Sequence, residues 1–577
     1  MSPSDSKRKI LTACIAPCVH VAGAINFGNI ASLLGFQVKF LGPTRKVNEI
    51  IDEIVKWNPE IVGLSYRLTP ANVRPLLEEF FIMYDQLDPK PARLYFAGTP
   101  PVVVIAQEFA RFDAFFEGGE SSNRIISILK NEKSEVEGPT TYPMDLIERI
   151  QWKKPFPLLR AHFGLPTLQD TIQGISEIAN ADVLDVISIA PDQETQEHFF
   201  HPELQNQSLA GAGGVPLRTR EDLLSLHKAR LSGNFPLLRI YAGTQDFIQF
   251  AEIIRETIQN AWAAIPIFWF NKMDGRGPLS LEDSIEQHLT AIRWHAERGI
   301  PVEINDPHHW GLRDAPDAVV VADSFLCAQI AKTLGVKHYV AQYMFNTPPN
   351  ASIKMDLAKM LAMHELNQAL EDKNFTIIRE VRAGLASLPL QLNRAKGQLA
   401  LSTIYQMALH PHIVHVVTHS EALHAALPRE IIESSEIVNQ IITRSLNGLP
   451  DPAKDPEVNA RKQQLMTEAA HIFKMIEVFA KNLNLNEKKP SVVQKLLLTK
   501  IVTSGLFDAP HLVNNLYARG CIQTRIIDGA CVTYDPLQEK VVSEDERIKH
   551  IINAELIGNN RREITEVMQS QGGGIQR

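Results

Sequence analysis

Residues 263–271 read AAIPIFWFN, 301–307 PVEINDP, 338–346 HYVAQYMFN, 375–384 FTIIREVRAG and 412–421 HIVHVVTHSE. Each run is apolar and rich in β-branched or aromatic side chains, and each begins 37 or 38 residues after the one before. A repeat of that length holds one strand, one helix and two short connections, the unit of a (β/α)8 TIM barrel. Three earlier runs complete a set of eight: PLLRAHFG at 157–164, VLDVISIAP at 183–191 and PLLRIYAG at 236–243. A helical segment follows every one.

Upstream, residues 9–17 (KILTACIAP) begin a second α/β series, with strand-like runs at 37–41, 61–65, 92–97 and 114–117. Amphipathic helices alternate with them, as at 47–57, where Ile50, Ile51, Ile54, Val55 and Trp57 mark one face. The alternation predicts a Rossmann-like (flavodoxin-like) parallel sheet over 1–135. The polar stretch NEKSEVEGPTTY (131–142) centres a linker placed at 136–155, and the barrel follows over 156–450. Residues 451–577 are read as a helical extension (456–483) and a small subdomain with a hairpin at Asp528-Gly529. The tail QSQGGGIQR is expected to be disordered.

With 45% hydrophobic and 21% charged residues, the 577-residue chain has the composition of a globular protein. A net charge of -8, with no basic run interleaved with aromatics, argues against a nucleic-acid partner. The polar N-terminus and the lack of a long charge-free apolar stretch argue against a membrane partner, so a cytoplasmic location is expected. The five cysteines (Cys14, Cys18, Cys327, Cys521 and Cys531) show no zinc-type pairing and are read as reduced thiols.

Chemistry enters at residues 18–23, CVHVAG, where a loop after the first strand offers an imidazole, His20, flanked by Val21 and followed by Gly23. Small residues close the neighbouring strands: Ser65 after IVGL, Ala97-Gly98 after LYF, and Gly118-Gly119 after AFFE. They lie at the carboxyl edge, where parallel sheets bind ligands. No GxGxxG follows the first strand, which argues against a dinucleotide. The pattern resembles the B12-binding domain of cobalamin-dependent mutases and methionine synthases, whose signature is Asp-x-His-x-x-Gly, then Ser-x-Leu, then Gly-Gly. The resemblance implies a cobalamin cofactor, with His20 as axial cobalt ligand and a slot beside the sheet for the displaced nucleotide tail. Two positions depart from the signature: Cys18 stands where it has aspartate, and Arg67 where it has leucine.

The barrel and tail resemble the catalytic chain of the glutamate mutase (methylaspartate mutase) family. The resemblance is carried by PLLR (157–160), LLRIYAG (237–243), VEINDPHHW (302–310) and GLFDAPH (505–511). It implies an isomerase using adenosylcobalamin, a corrinoid domain over the barrel mouth, and radical rearrangement of a small carboxylate gripped by arginines, here Arg160 and Arg239. The family's third arginine is missing at Ala190–Gln193. Its glutamate base and two tyrosines align with Ala261, Ile267 and Asn271, so glutamate itself is not the expected substrate. Other polar residues fall at strand ends, where barrels place chemistry: Asn271, Lys272, Asp306, His308 and His309, with Arg382 and His415 further on. Paired imidazoles beside Asp306 suit acid-base work or metal binding, or simply the bonding of their own loop. A corrinoid-dependent methyltransferase and a non-catalytic cobalamin-binding or sensing protein stay open as alternatives, and a homodimer is expected.

Overall fold

The computed structural model describes residues 8–130, 142–241 and 243–553. The centre of the expected linker and the C-terminal tail lie outside these residues. Among the described residues, no helix is long and apolar enough to cross a membrane.

The first unit is a parallel sheet of β1 (Lys9–Cys14), β2 (Gln37–Phe40), β3 (Ile61–Tyr66), β4 (Arg93–Gly98) and β5 (Ala114–Phe116), in the order β2-β1-β3-β4-β5. Strand order reverses between β1 and β3. The chain leaves these two strands toward opposite faces, which opens a crevice at their carboxyl ends. Alternation within each strand sorts the faces. Leu11, Ala13, Val62 and Leu64 pack under the helices Val47–Trp57, Pro70–Tyr84 and Pro100–Gln107. Ile10, Ile61 and Tyr95 pack on the other side, with Phe27 and Ile30 of helix Ala22–Leu33 and Ile125 and Leu129 of helix Ser122–Lys130.

The second unit is the eight-stranded parallel barrel, with one strand in each of the eight apolar runs. The strands are β6 (Leu158–Phe163), β7 (Val186–Ile189), β8 (Leu237–Ile240), β9 (Ala263–Ala264), β10 (Val302–Glu303), β11 (His338–Phe345), β12 (Thr376–Ala383) and β13 (Ile413–His415). At the seam between β8 and β9, the Ala261 N–H donates to the Leu238 carbonyl at 2.9 Å. The Asn260 side chain also bridges there, accepting from the Ile240 N–H and donating to the Trp262 carbonyl. Strand β9 stops after two residues although AAIPIFWFN reads as a longer strand. Pro266 has no N–H for a ladder, and the Asp306 carboxylate takes the next two, of Ile267 and Phe268.

Every second residue of a barrel strand points inward, so the interior forms layers. The lowest layer is apolar, from Leu158, Val186, Leu237, Val340, Ile378 and Ile413, and Trp262 packs against it. Part of the expected linker, Leu146–Lys153, is a helix capped by Asp145, and its Leu146 and Ile150 join this plug. One layer up stand Arg160, Arg239, Glu303, Gln342, Glu380 and His415, all buried. Above them, at the mouth, come His162, Tyr241, Asn305 and Arg382. The N-terminal end of the barrel is therefore sealed by hydrocarbon, and its chemistry faces the C-terminal end.

The C-terminal piece wraps the barrel. Helix Pro456–Asn482 lies against Asp317–Thr333 and Ile353–Gln368. A three-stranded antiparallel sheet follows, of β14 (Thr524–Ile527), β15 (Ala530–Asp535) and β16 (Lys540–Val541). The expected hairpin is present: Asp528 and Gly529 have φ of 49° and 82°, the paired positive values of a tight two-residue turn.

The two units meet away from the mouth. Asn123 donates to the Asp182 carbonyl at 2.9 Å, and Lys130 donates to the Lys154 carbonyl at 2.9 Å. Asp182 precedes β7 and Lys154 precedes β6, so the first unit rests on the N-terminal end of the barrel. The resemblance implied a corrinoid domain over the mouth, and the observed contact lies at the opposite end.

Candidate functional site

At the carboxyl edge of the first sheet, β1 runs into Ile15–Val21, and helix Ala22–Leu33 then begins. Val21 is the N-cap of that helix. This turn leaves His20 exposed while Cys18 is fully buried behind it. The Cys18 Sγ lies 3.8 Å from His20 Nδ1 and accepts the Arg67 N–H at 3.4 Å. Cys14 donates its S–H to the His20 carbonyl at 3.5 Å, and burial pushes the Cys14 thiol up to about 11, so it stays protonated as a donor. The thiol of Cys18 thus faces the inner ring nitrogen of His20. Ligand-binding histidines are commonly oriented from that nitrogen by a second group.

Beside this loop runs a slot of about 110 Å³ between helix Ala22–Leu33 and the sheet. Its floor follows from the alternation of strand residues. The positions that are bulky lower down (Ile10, Ile61, Tyr95) give way to Thr12, Gly63, Ser65 and Ala97 toward the carboxyl edge. Phe27, Tyr95 and Phe116 supply aromatic walls, and Gly23, Gly98 and Gly118 complete the lining. A Cβ on Gly63 would stand 3.2 Å from Thr12 Cγ2, and one on Gly98 would stand 3.0 Å from the Tyr66 carbonyl oxygen and from Val102 Cγ1. Gly118 has φ +98°, and a Cβ there would meet the Arg67 guanidinium at 2.9 Å. The Glu120 carboxylate accepts the Gly118 N–H and holds this lip. The exposed Gly119 borders a wider crevice of about 720 Å³, whose other wall is Asn180, Ala181, Asp182, Gly233 and Phe235 of the barrel.

Cys18, His20, Val21, Gly23, Ser65, Arg67, Ala97, Gly98, Gly118 and Gly119 therefore gather at one sheet edge. Thr12 and Gly63 were not singled out in the sequence. Counting back by two from Ser65, and across to the paired strand, would have found both.

In the barrel, Arg160 and Arg239 are fully buried and already matched. Arg160 Nη1 pairs with Glu380, and Arg239 Nη2 lies 2.8 Å from Glu303 Oε2. Glu303 also accepts from Trp262 Nε1 at 2.8 Å and from Gln342 Nε2 at 3.0 Å. The two arginines balance internal carboxylates one layer below the mouth. Asn271 is also internal: its amide donates to Phe268 O and Ser284 Oγ and so fixes the loop after β9. Lys272 is exposed. Asp306 receives two backbone N–H groups, and burial raises its carboxyl to about 7.

His308 and His309 do face the mouth, on the short helix Asp306–Gly311, with ring centroids 4.3 Å apart. Opposite them, His162 and His415 are 4.6 Å apart. Burial, then nearby arginines, holds the pKa values of His162, His308 and His415 well below the usual histidine range. For His309, burial and then His308 do the same. All four are neutral at physiological pH. Among the described residues, no three His, Cys, Asp or Glu side chains converge into a metal site. The mouth can therefore donate and accept protons and hydrogen bonds, with Arg382 as a cation.

No family model matches the sequence, and none of the curated proteins compared with it matches. Among solved structures, a novel cobalamin-binding protein from Desulfitobacterium hafniense DCB-2 is 27% identical over 19% of this chain and 53% of its own, with a TM-score of 0.18. The cobalamin-dependent S-adenosylmethionine radical enzyme OxsB, with aqua-cobalamin and S-adenosylmethionine bound, is 12% identical over 99% of this chain and 82% of its own, at 0.20. Apo OxsB is 13% identical over 86% and 70%, at 0.17. Superpositions this loose fix neither the fold nor the chemistry of this chain, which rest on its own residues.

Proposed function

We propose that residues 9–130 bind a cobalamin, with its nucleotide tail in the slot and the His20 imidazole as the lower ligand of cobalt. We further propose that the barrel is the catalytic unit of a carbon-skeleton mutase acting on a small carboxylate other than glutamate. One observation carries the reading: an exposed imidazole, faced on its inner nitrogen by Cys18, stands beside an apolar slot that a Cβ at Gly63 would crowd. The slot is of the same order as the ~150 Å³ apolar cavity known to accept a benzene ring, and it is open at its upper end. The tail's ring is flat, apolar and aromatic, and in the slot it would meet Phe27, Tyr95 and Phe116. The phosphodiester above it is anionic, and the Arg67 guanidinium lies at that lip with no hydrogen-bonding or ion-pair partner among the described residues.

When bound as its adenosyl form, such a cofactor supplies a cobalt–carbon bond that breaks homolytically and starts radical chemistry. The chain's own contribution is to present and orient His20, to enclose the tail, and to hold the substrate in a barrel closed to water from below by its apolar plug.

The contact between the units favours one alternative enough to test. The slot edge faces the N-terminal end of the barrel, whereas the mouth lies at the other end, so catalysis requires the first unit to leave its observed seat. A cobalamin-binding protein with no barrel chemistry needs no such movement.

The test is a titration with aquocobalamin and adenosylcobalamin, read by absorbance, in the wild type, His20→Ala and Gly23→Leu. No atom lies within 4 Å of a Cβ at Gly23, so Gly23→Leu should fold normally and bind less. The expected result is a shift to the histidine-ligated spectrum that His20→Ala abolishes. Colourless wild-type protein after gel filtration would refute the reading. Cob(II)alamin formed from adenosylcobalamin only when a carboxylate is added supports the mutase over the binding protein.

A further inference from the structure

The barrel mouth and the layer just beneath it contain a concentration of buried polar atoms with no hydrogen-bond partner. They are Nδ1 of His308, both ring nitrogens of His309 and of His415, Oδ1 of Asn305 and Oε1 of Gln342. Buried polar atoms are nearly always paired, and a cluster of unpaired ones marks a place where water or a ligand completes the bonding. All five side chains are at least nine-tenths buried; Asn305, His308 and His309 follow β10, His415 ends β13, and Gln342 lies within β11 in the layer of His415.

The charges at this place can be counted. Arg160 and Arg239 are matched by Glu380 and Glu303. Arg313 pairs with Asp274 at 3.4 Å. Arg382 is half-buried at the end of β12, and among the described residues the only hydrogen bond of its side chain runs from Nε to the Ala383 carbonyl at 3.3 Å. Two acids lie within electrostatic reach of it. Glu380 belongs to Arg160, and Glu421 accepts the Thr418 N–H at 2.7 Å with its carboxyl raised by burial. Among the described residues at this place Arg382 is thus the half-buried cation without an ion pair, while Arg276 is exposed on the loop after β9 and lies over the Phe270 ring. Each carboxylate has a partner: Asp306 is held by two backbone N–H groups, Glu303 by Arg239, Trp262 and Gln342, and Glu380 by Arg160 through one oxygen, its Oε2 being unpartnered. The imidazoles are neutral donors and acceptors.

We infer that the mouth is a binding site for a small monocarboxylate that carries hydroxyl or carbonyl groups and no ammonium. The carboxylate lies on the Arg382 guanidinium, and its uncharged oxygens lie on His308, His309 and His415. An α-amino acid places a cation among neutral imidazoles beside arginines, where the carboxylates are already held by arginines or backbone N–H groups, so it is rejected. This deepens the barrel half of the reading above and does not depend on its cofactor half.

Lactate and alanine form a matched pair of probes, because they differ in a hydroxyl against an ammonium on the same skeleton. In cofactor-free protein carrying 13C-labelled histidine rings, lactate should shift the resonances of His308, His309 and His415. Alanine should bind at least about tenfold more weakly, since a charge left without a counter-ion in such a site costs about 1.4 kcal/mol or more. Arg382→Met should remove the lactate response, and Arg382→Lys should keep part of it, with both melting as the wild type does. No response to lactate in the wild type, equal affinity for alanine, or unchanged lactate binding in Arg382→Met overturns the inference. A cobalamin titration of the same sample reports the cofactor reading separately, so the two failures are distinguishable.

Discussion

The Sγ of Cys18 stands 3.8 Å from Nδ1 of His20, and the same sulfur accepts the N–H of Arg67, which lies beyond the carboxyl end of β3. The contact ties the imidazole loop after β1 to the strand across the switch point. The cysteine takes the position that the B12-binding signature gives to aspartate, and it does so facing the nitrogen that an aspartate would engage.

Cys18→Ala should therefore weaken cobalamin binding by about tenfold or more, the usual cost of losing a group that orients a metal ligand. Cys18→Asp should retain binding. Absorbance titrations of the three proteins give the comparison, and wild-type affinity in Cys18→Ala would remove the orienting role of the thiol.

Arg67 is expected to read the phosphodiester of the tail. A charged hydrogen bond at a partly open lip is worth about 1.4 kcal/mol, so Arg67→Leu should bind cobalamin about tenfold more weakly. Its affinity for cobinamide, which has neither phosphodiester nor base, should not change. An equal loss for both ligands would mean that Arg67 shapes the slot instead.

Arg160→Met leaves Glu380 buried opposite hydrocarbon, where the wild type has an ion pair between two fully buried side chains. Breaking one partner of such a pair costs about 3–5 kcal/mol. Urea unfolding of cofactor-free protein should show this loss. A variant as stable as the wild type but unable to hold a carboxylate would return Arg160 to the role of a substrate clamp.

His288 is buried, with Nδ1 3.1 Å from the Ile267 carbonyl, and burial lowers its pKa to about 4. In the unfolded chain the ring takes a proton near pH 6.5, so between about 6.5 and 4 the unfolded state binds more protons than the folded one. Its contribution to stability is complete above that window and is lost as pH falls through it, up to about 3 kcal/mol at 1.36 kcal/mol per pH unit. Wild type should lose more stability than His288→Gln from pH 7 to pH 4. Parallel profiles would place the imidazole in contact with water.

The barrel was legible because its signal is a period: eight runs with helices between them leave few other folds. The slot was half legible. Glycines and serine at strand ends are visible, but Thr12 and Gly63 matter only through the face they share once β1 and β3 pair. The family resemblance makes Arg160 and Arg239 substrate clamps. Only the register that brings Glu303 and Glu380 into the same layer shows them as internal counter-charges. Asn271 and Lys272 sit beyond Pro266 and Asp306, which end β9 early, and a period cannot show that. The seat of the first unit rests on loops such as Asn180–Asp182, which have no pattern to read.

The most direct test is electron paramagnetic resonance of cob(II)alamin bound to protein labelled with 15N only in histidine. If His20 ligates cobalt, the nitrogen splitting of each cobalt line changes from the triplet of 14N to the doublet of 15N, and His20→Ala loses the doublet. A triplet that persists in the labelled protein would mean that the cofactor keeps its own base, and the slot would then have no tail to hold.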